Sequence, residues 1–248
     1  MVLRDQMRQQ GDWLFRRRSY LPLAIVPLLA LALGQADSFE ARGGSLLDHG
    51  WKVFCLVISV AGLVVRGLVV AHAPAGTSGR GTAKQRADSL NTTGLYSVVR
   101  HPLYLGNFLA AMGVAMFLEV WWFAIICALG FWLYYERIML AEEAFLEAKF
   151  GDDFRAWAAA TPVFVPRLRG WRRPTLGFSV RNVLRREYTG FALLIASFCA
   201  ADVLADGVTR RDWQPDASLA AALTVAGLVY ITLLTLKKTT RLLEVQGR

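Results

Sequence analysis

Apolar positions in this chain gather into long runs, and the polar residues collect at the breaks between them. Runs at about 20–36, 51–71, 103–118, 120–140, 188–204 and 218–236 hold few charged side chains. About 20 apolar residues wound as a helix cross a hydrocarbon layer ~30 Å thick, so the pattern predicts six transmembrane helices. The third and fourth runs are parted only around Glu119. A chain cannot leave its amides unpaired in lipid, so the spacing predicts a tight helical hairpin whose far ends meet at one membrane face. The expected fold is all-α, a polytopic integral membrane protein. The first run follows Arg16-Arg17-Arg18 as a signal peptide's would, but Pro22 and Pro27 interrupt it and no small-x-small cleavage site follows. It reads as a retained first span.

Charge sets the orientation. Arg16-Arg17-Arg18, then Arg80, Lys84, Arg86 and Arg100, the basic stretch 167–186, and Lys237, Lys238 and Arg241 all fall on one side of six spans. The opposite loops carry Asp37, Glu40, Arg42 and Asp48, and Asp206, Arg210, Arg211, Asp212 and Asp216, with no basic excess. The positive-inside bias makes the basic side cytoplasmic, with both termini in the cytosol. A bacterial inner membrane is the expected location. The formal net charge of +9 is then explained by anionic phospholipids beside the spans, and no nucleic-acid partner is expected. Cys55, Cys127 and Cys199 lie inside apolar runs without CxxC spacing and read as small buried hydrophobes. His49, His72 and His101 are scattered and form no HExxH, so no metal is expected. The glycine-rich stretch 74–82 lacks GxxxxGK[ST] and reads as a flexible cytosolic connector. Arg66, inside the second run, suits either snorkelling to the cytosolic interface, the favoured reading, or facing the pocket.

Candidate chemistry sits at the mouth of the predicted hairpin. Arg100-His101-Pro102-Leu103-Tyr104-Leu105-Gly106 opens the third run, and Glu136-Arg137 and Glu142-Glu143 finish the fourth. His101 and Tyr104, three apart, share one helix face, as do Glu136, Glu143 and Glu147 on the other helix. Ionisable groups there mark a functional site by default, and the two faces can line one pocket. The bland alternative is a helix cap followed by a packing glycine. Pro102 suits the first helical turn, where its missing amide has no partner to lose, and Gly106 lets a neighbour approach the backbone.

Residues 144–166 alternate Phe145, Leu146, Phe150, Phe154 and Trp157 with Glu147, Lys149, Asp152, Asp153 and Arg155, broken at Gly151. This amphipathic stretch suits either a lid at the interface or a plain surface anchor. Thr161-Pro162 stops the helix, and Val163-Phe164-Val165-Pro166 predicts an extended piece against the membrane mouth. Arg167, Arg169, Arg172, Arg173, Arg181, Arg185 and Arg186 follow and suit anionic headgroups.

From Asn91-Thr92-Thr93-Gly94-Leu95-Tyr96 through the Arg100-to-Gly106 motif, Glu136-Arg137, Glu142-Glu143, Phe150-Gly151-Asp152-Asp153-Phe154 and Thr161-Pro162-Val163-Phe164-Val165-Pro166, the chain resembles the isoprenylcysteine carboxyl methyltransferases and related phospholipid methyltransferases. The likeness covers about 75 residues, roughly a third of the chain. It implies an S-adenosylmethionine site in a cytosolic catalytic segment at the hairpin's end, and a lipid or prenylated acceptor arriving sideways from the bilayer. Carried over residue by residue, it implies that Arg100, His101, Tyr104, Gly106, Glu142 and Glu143 bind the cofactor. Arg137 and Glu143 take the catalytic roles, and Phe154 and Trp157 border substrate access.

Three segments follow from this reading: 1–90, membrane helices and a cytosolic connector; 91–170, the methyltransferase-like core; and 171–248, a basic cytosolic segment and a two-helix hairpin. The last two spans lie beyond the resemblance and suit a scaffold, a homo-oligomer interface or a wider lipid cavity. Membrane sterol and ene reductases resemble the same arginine-histidine-proline turn and acidic pair, so an NADPH-dependent reductase is the alternative enzyme. A noncatalytic membrane scaffold is the alternative without chemistry.

Overall fold

A computed structural model describes residues 2–18, 20–35, 44–74, 76–77 and 87–247. Arg80, Lys84 and Arg86, most of the glycine-rich connector, and Asp37, Glu40 and Arg42 lie outside the described residues. Among the described residues the regular structure is helical, and β-pairing is limited to one isolated antiparallel bridge between Gly94 and Arg172. Helix α1 spans Leu3–Arg17, and a 3-10 turn at Leu21–Ile25 leads into the short α2, Val26–Leu33. Then come α3 (Ser45–His72), α4 (Pro102–Phe117), α5 (Trp121–Phe150), α6 (Asp152–Ala160), α7 (Val180–Thr209) and α8 (Ala217–Thr239).

Four of these helices, α3, α5, α7 and α8, are long and apolar enough to cross a bilayer. Where six spans were expected, four candidate spans are identified among the described residues. The other two apolar runs form shorter helical stretches, Leu23–Leu33 and Pro102–Phe117. At 1.5 Å per residue the 16-residue α4 is ~24 Å long, less than the ~30 Å of hydrocarbon. The first run loses length because the chain around Pro22 winds as a 3-10 turn before the α-helix begins. Apolarity was sufficient in both runs; helix length was not.

Lipid-facing surface accounts for much of the apolar composition. Val53, Phe54, Val57 and Val64 on α3, Trp121, Ile125 and Leu129 on α5, and Leu228 and Ile231 on α8 are all exposed. Contiguous apolar surface of this extent is unfavourable in water and suited to lipid, and it makes this an integral membrane protein. The interior is small: Ala32, Leu33, Cys55, Ala115, Phe117, Phe123, Leu194 and Phe198 form the main buried cluster, with Phe117 and Phe198 edge to face at 5.1 Å. The three cysteines are free thiols, Cys55 and Cys199 buried and Cys127 half-buried.

Close backbone contact between α3 and α4 positions everything that follows. Small residues permit it: a Cβ on Gly62 would come within 2.6 Å of the Ala110 nitrogen, and one on Gly106 within 2.8 Å of the Gly62 carbonyl. Ser59 donates to the Ala110 carbonyl at 2.9 Å and Trp51 to the Met116 carbonyl at 2.9 Å. Helix α4 meets α5 through Phe108 and Phe131, ring centroids 5.0 Å apart. Only residues 118–120 separate the two helices, and Glu119 takes a positive φ of 61° to turn the chain.

Helix α1 was not anticipated from the sequence. It is too polar to register as a span, yet it lies along α5. Gly11 allows the approach, since a Cβ there would sit 2.7 Å from the Arg137 carbonyl carbon.

Candidate active site

Pro102 starts α4, as its fixed φ and missing amide favour, and leaves His101 at the N-cap in a non-helical conformation. The approach to that cap is held from outside. The Arg100 amide donates to the Pro162 carbonyl at 2.8 Å, the His101 amide to Val163 at 3.3 Å, and the Arg167 amide to Val98 at 3.0 Å. Thr161-Pro162 does end helix α6, whereas residues 163–165, expected to be extended, are bent, and the segment is bonded against residues 98–101. Phe164 anchors it between Phe108 and Trp132, at 5.8 and 5.6 Å.

The second half of the site comes from α5. Arg100 Nη1 donates to Glu143 Oε2 at 2.9 Å, and His101 Nε2 donates to Glu143 Oε1 at 3.0 Å. A carboxylate only accepts, so this contact puts the imidazole proton on Nε2. One turn on, Tyr104 Oη donates to Glu142 Oε2 at 2.8 Å. Its ring stacks on His101 at 5.5 Å and tilts against Tyr135 at 4.7 Å. His101 is 5% exposed, whereas the Glu142 and Glu143 side chains keep 34% and 24% of their surface. The histidine is thus embedded and the carboxylates face outward.

One donor in this cluster is left over. Arg100 Nε is buried with no hydrogen-bond partner, and a buried unpaired donor costs roughly 1–3 kcal/mol. An outward acidic pair able to accept from ammonium and ribose hydroxyl groups, beside a guanidinium with a free donor for a carboxylate, fits the polar groups of S-adenosylmethionine. Tyr96 lies close by. Burial and the Glu142 carboxylate push its phenol well above the usual range, against the opposing pull of Arg186 and a bond to the Asn91 side chain.

The remaining predicted residues sit elsewhere. Gly106 faces α3, where a Cβ would lie 2.7 Å from Arg66 Cγ; its absent side chain serves helix packing. Arg137 points away from the Glu143 cluster: Nε donates to Gln10 at 2.9 Å and Nη1 to the Leu133 carbonyl at 2.7 Å. It lines an open groove of about 570 Å³ with Gln9, Gln10, Trp13, Leu14, Leu133 and Tyr134.

Gly151, at φ 55°, supplies the break between α5 and α6. Phe154 and Trp157 on α6 are turned inward, 4% and 9% exposed, with Trp157 Nε1 donating to the Tyr96 carbonyl at 2.9 Å. Trp157 forms part of a cavity of about 480 Å³ with Thr92, Ser97, Asp153, Thr161 and Arg172, a size typical of small-molecule sites.

Arg66 requires a correction. It does not snorkel: Nε donates to Glu187 Oε2 at 2.8 Å and Nη2 to Glu187 Oε1 at 3.0 Å, and Nη1 donates to Asn107 Oδ1. Asn107 Nδ2 in turn donates to Tyr135 Oη at 3.2 Å. Sequence reading missed Asn107, Tyr135 and Glu187. A polar Asn107 beside Gly106 within an apolar run was a usable signal; Glu187, directly after Arg185-Arg186, looked like part of the interfacial charge.

Helices built for a bilayer carry an acidic pair set against an arginine-histidine cap, and similarity to known proteins makes the chain a membrane-embedded methyltransferase. Residues 54–153 match the phospholipid methyltransferase family. The chain belongs to this phospholipid and isoprenylcysteine methyltransferase-like family, whose cofactor is S-adenosylmethionine. It is 34% identical over 168 residues to the nickel-cobalt-cadmium resistance protein NccN of Alcaligenes xylosoxydans xylosoxydans, covering 65% of this chain and 70% of that protein. It is 36% identical over 88 residues to the cobalt-zinc-cadmium resistance protein CzcN of Cupriavidus metallidurans, 36% of this chain and 40% of that one. The protein-S-isoprenylcysteine O-methyltransferase of Schizosaccharomyces pombe is 33% identical over 85 residues, 34% of this chain and 36% of the yeast protein. The chain thus spans less than half the length of the last two relatives. No solved structure matches the chain.

Proposed function

We propose that the chain methylates an amphiphile held in the bilayer, a membrane lipid head group first and a prenyl-derived carboxylate second. The cofactor binds at the outward face of the Arg100, His101, Tyr104, Glu142 and Glu143 cluster. The observation that carries this reading is the paired geometry of that cluster: Glu143 held by Arg100 and His101, Glu142 held by Tyr104, and the Arg100 Nε donor left for a ligand. Bound there, S-adenosylmethionine supplies an electrophilic methyl on a sulfonium.

The chain's own residues then bind and orient. Glu142 and Glu143 accept from the cofactor's ammonium and hydroxyl groups, Arg100 donates to its carboxylate, and the clamped 98–101 segment fixes their spacing. Placing the acceptor in line and keeping water out provide most of the rate. A lone pair on O, N or S of the acceptor would take the methyl that S-adenosylmethionine supplies, with S-adenosylhomocysteine as the leaving thioether. An ammonium acceptor would first give up a proton, and we assign the role of base to Glu143. Arg137 orients an anionic head from the groove beside α1.

The basic stretch 167–186, exposed over most of residues 167–173, supports contact with anionic phospholipids and a cytosolic site, with both termini on that side of a bacterial inner membrane. Metal resistance is stated in the names of NccN and CzcN.

The test uses purified protein in lipid nanodiscs with native membrane extract and methyl-labelled S-adenosylmethionine. Label should enter the organic phase, and fragmentation should place it on a head group or carboxylate. Label confined to water-soluble products would defeat the lipid reading, and tighter binding of NADPH than of S-adenosylhomocysteine would defeat the cofactor assignment.

A further inference from the structure

Helices α7 and α8 lie outside the residues of the family match, which end at 153, yet α7 sends the Glu187 side chain toward the site. Glu187 is buried, with 9% of its side chain exposed, and grips Arg66 of α3 at two points, through Nε and Nη2. A two-point grip fixes the plane of a guanidinium and leaves Nη1 aimed in one direction, toward Asn107 Oδ1.

That direction has a consequence for Asn107. With a positive donor on its oxygen side, the amide must present Nδ2 on its other side, and Nδ2 donates to Tyr135 Oη at 3.2 Å. Tyr135 is held as an acceptor, and its ring, 4.7 Å from Tyr104, sets the position of the phenol that donates to Glu142. Without Arg66 in place the amide is free to turn over, and Tyr135 would then donate where it now accepts. Five side chains from four helices thus form a directed chain from Glu187 to Tyr104, ending at Glu142.

We propose that Glu187 is a positioning residue for methyl transfer, acting through Arg66, Asn107 and Tyr135 on Tyr104 and Glu142. The proposal rests on the site reading above. A plain structural bond between α3 and α7 is the competing account, and the molecule contains its own control: Asn182 Nδ2 also ties α7 to α3, donating to the Val70 carbonyl at 2.7 Å, but has no part in the chain to Tyr104.

The experiment measures kcat, KM for S-adenosylmethionine, S-adenosylhomocysteine affinity and Tm for Glu187→Gln, Asn107→Ala, their double variant and Asn182→Ala, in full-length protein in nanodiscs. Glu187→Gln and Asn107→Ala should each lower kcat about ten-fold, the loss expected for one charged hydrogen bond. The double variant should be no slower than the slower single, since both cut the same chain. Asn182→Ala should lower Tm while keeping kcat within about two-fold, as a contact outside the chain adds independently. Should Glu187→Gln fail to fold, Glu187→Asp keeps the charge, shortens the grip and reads the same loss in smaller measure. Multiplicative losses in the double variant, wild-type kcat in the singles, or an equal kcat loss in Asn182→Ala would each overturn the proposal. Wild-type protein that binds no S-adenosylhomocysteine would instead overturn the site reading beneath it.

Discussion

Tyr104 and Glu142, 38 positions apart, meet across α4 and α5 with the phenol donating at 2.8 Å, one helical turn from where His101 donates to Glu143 at 3.0 Å. Both carboxylates are therefore aimed by donors on the opposite helix.

Loss of either donor-acceptor pair should therefore weaken the cofactor before it weakens the fold. His101→Ala and Glu143→Gln each remove a charged hydrogen bond of about 1.5–3 kcal/mol, so S-adenosylhomocysteine affinity should fall about ten- to hundred-fold. Backbone bonds from residues 100 and 101 to 162 and 163 remain, so both variants should purify as folded protein. Calorimetry showing wild-type affinity in both would remove the cluster from the cofactor site.

Tyr104→Phe isolates the hydroxyl. The ring contacts to His101 and Tyr135 survive, and only the bond to the Glu142 carboxylate is lost, about 1.5–3 kcal/mol. A loss in cofactor affinity of about ten- to hundred-fold is expected, with Tm close to wild type. Tyr104→Leu, which also deletes the stack, should lose more of both. Wild-type affinity in Tyr104→Phe with a loss only in Tyr104→Leu would mean that ring packing, not the hydroxyl, aims Glu142.

Much of this site could be read from the sequence because its signals are local. Pro102 fixed the start of α4, Thr161-Pro162 the end of α6, and three-residue spacing put His101 and Tyr104 on one face. What escaped was whatever depended on distant partners or on length. Arg66 looked like a lone charge in an apolar run because Glu187 lies 121 residues away. Phe154 and Trp157 read as part of a surface pattern, yet both are buried, and Trp157 bonds the distant Tyr96 carbonyl. Helix α1 carries too many charges to stand out in a search for apolar runs, and α4 is apolar but four or so residues short of a span.

Close packing of α3 on α4 makes glycine substitutions there costly. A Cβ on Gly62 or Gly106 would meet backbone at 2.6 and 2.8 Å, which overpacks the interface by about 1–3 kcal/mol. Gly62→Ala and Gly106→Ala should each lower the midpoint of thermal unfolding in detergent by several degrees. Gly130→Ala on α5, where a Cβ meets nothing within 4 Å, should leave it unchanged or raise it. A Gly62→Ala protein as stable as wild type would show that the two helices can separate at little cost.

Arg137 separates the acceptor from the cofactor. Its guanidinium bonds Gln10 of α1 and lines the groove with Trp13, Leu14, Leu133 and Tyr134, a largely apolar channel with one cation that suits an amphiphile carrying an anionic head. Tyr134 Oη, buried and without a hydrogen-bond partner, adds a polar group on the same wall. Arg137→Ala should therefore raise KM for the lipid acceptor about ten-fold or more, the scale of one charged hydrogen bond, and leave S-adenosylhomocysteine affinity nearly unchanged. Arg137→Lys keeps the charge but loses the planar fork, so it should fall between the two. The opposite split, with cofactor affinity lost and acceptor KM intact, would move Arg137 from the acceptor groove to the cofactor. Wild-type values for both would leave it the structural task of holding α1 against α5.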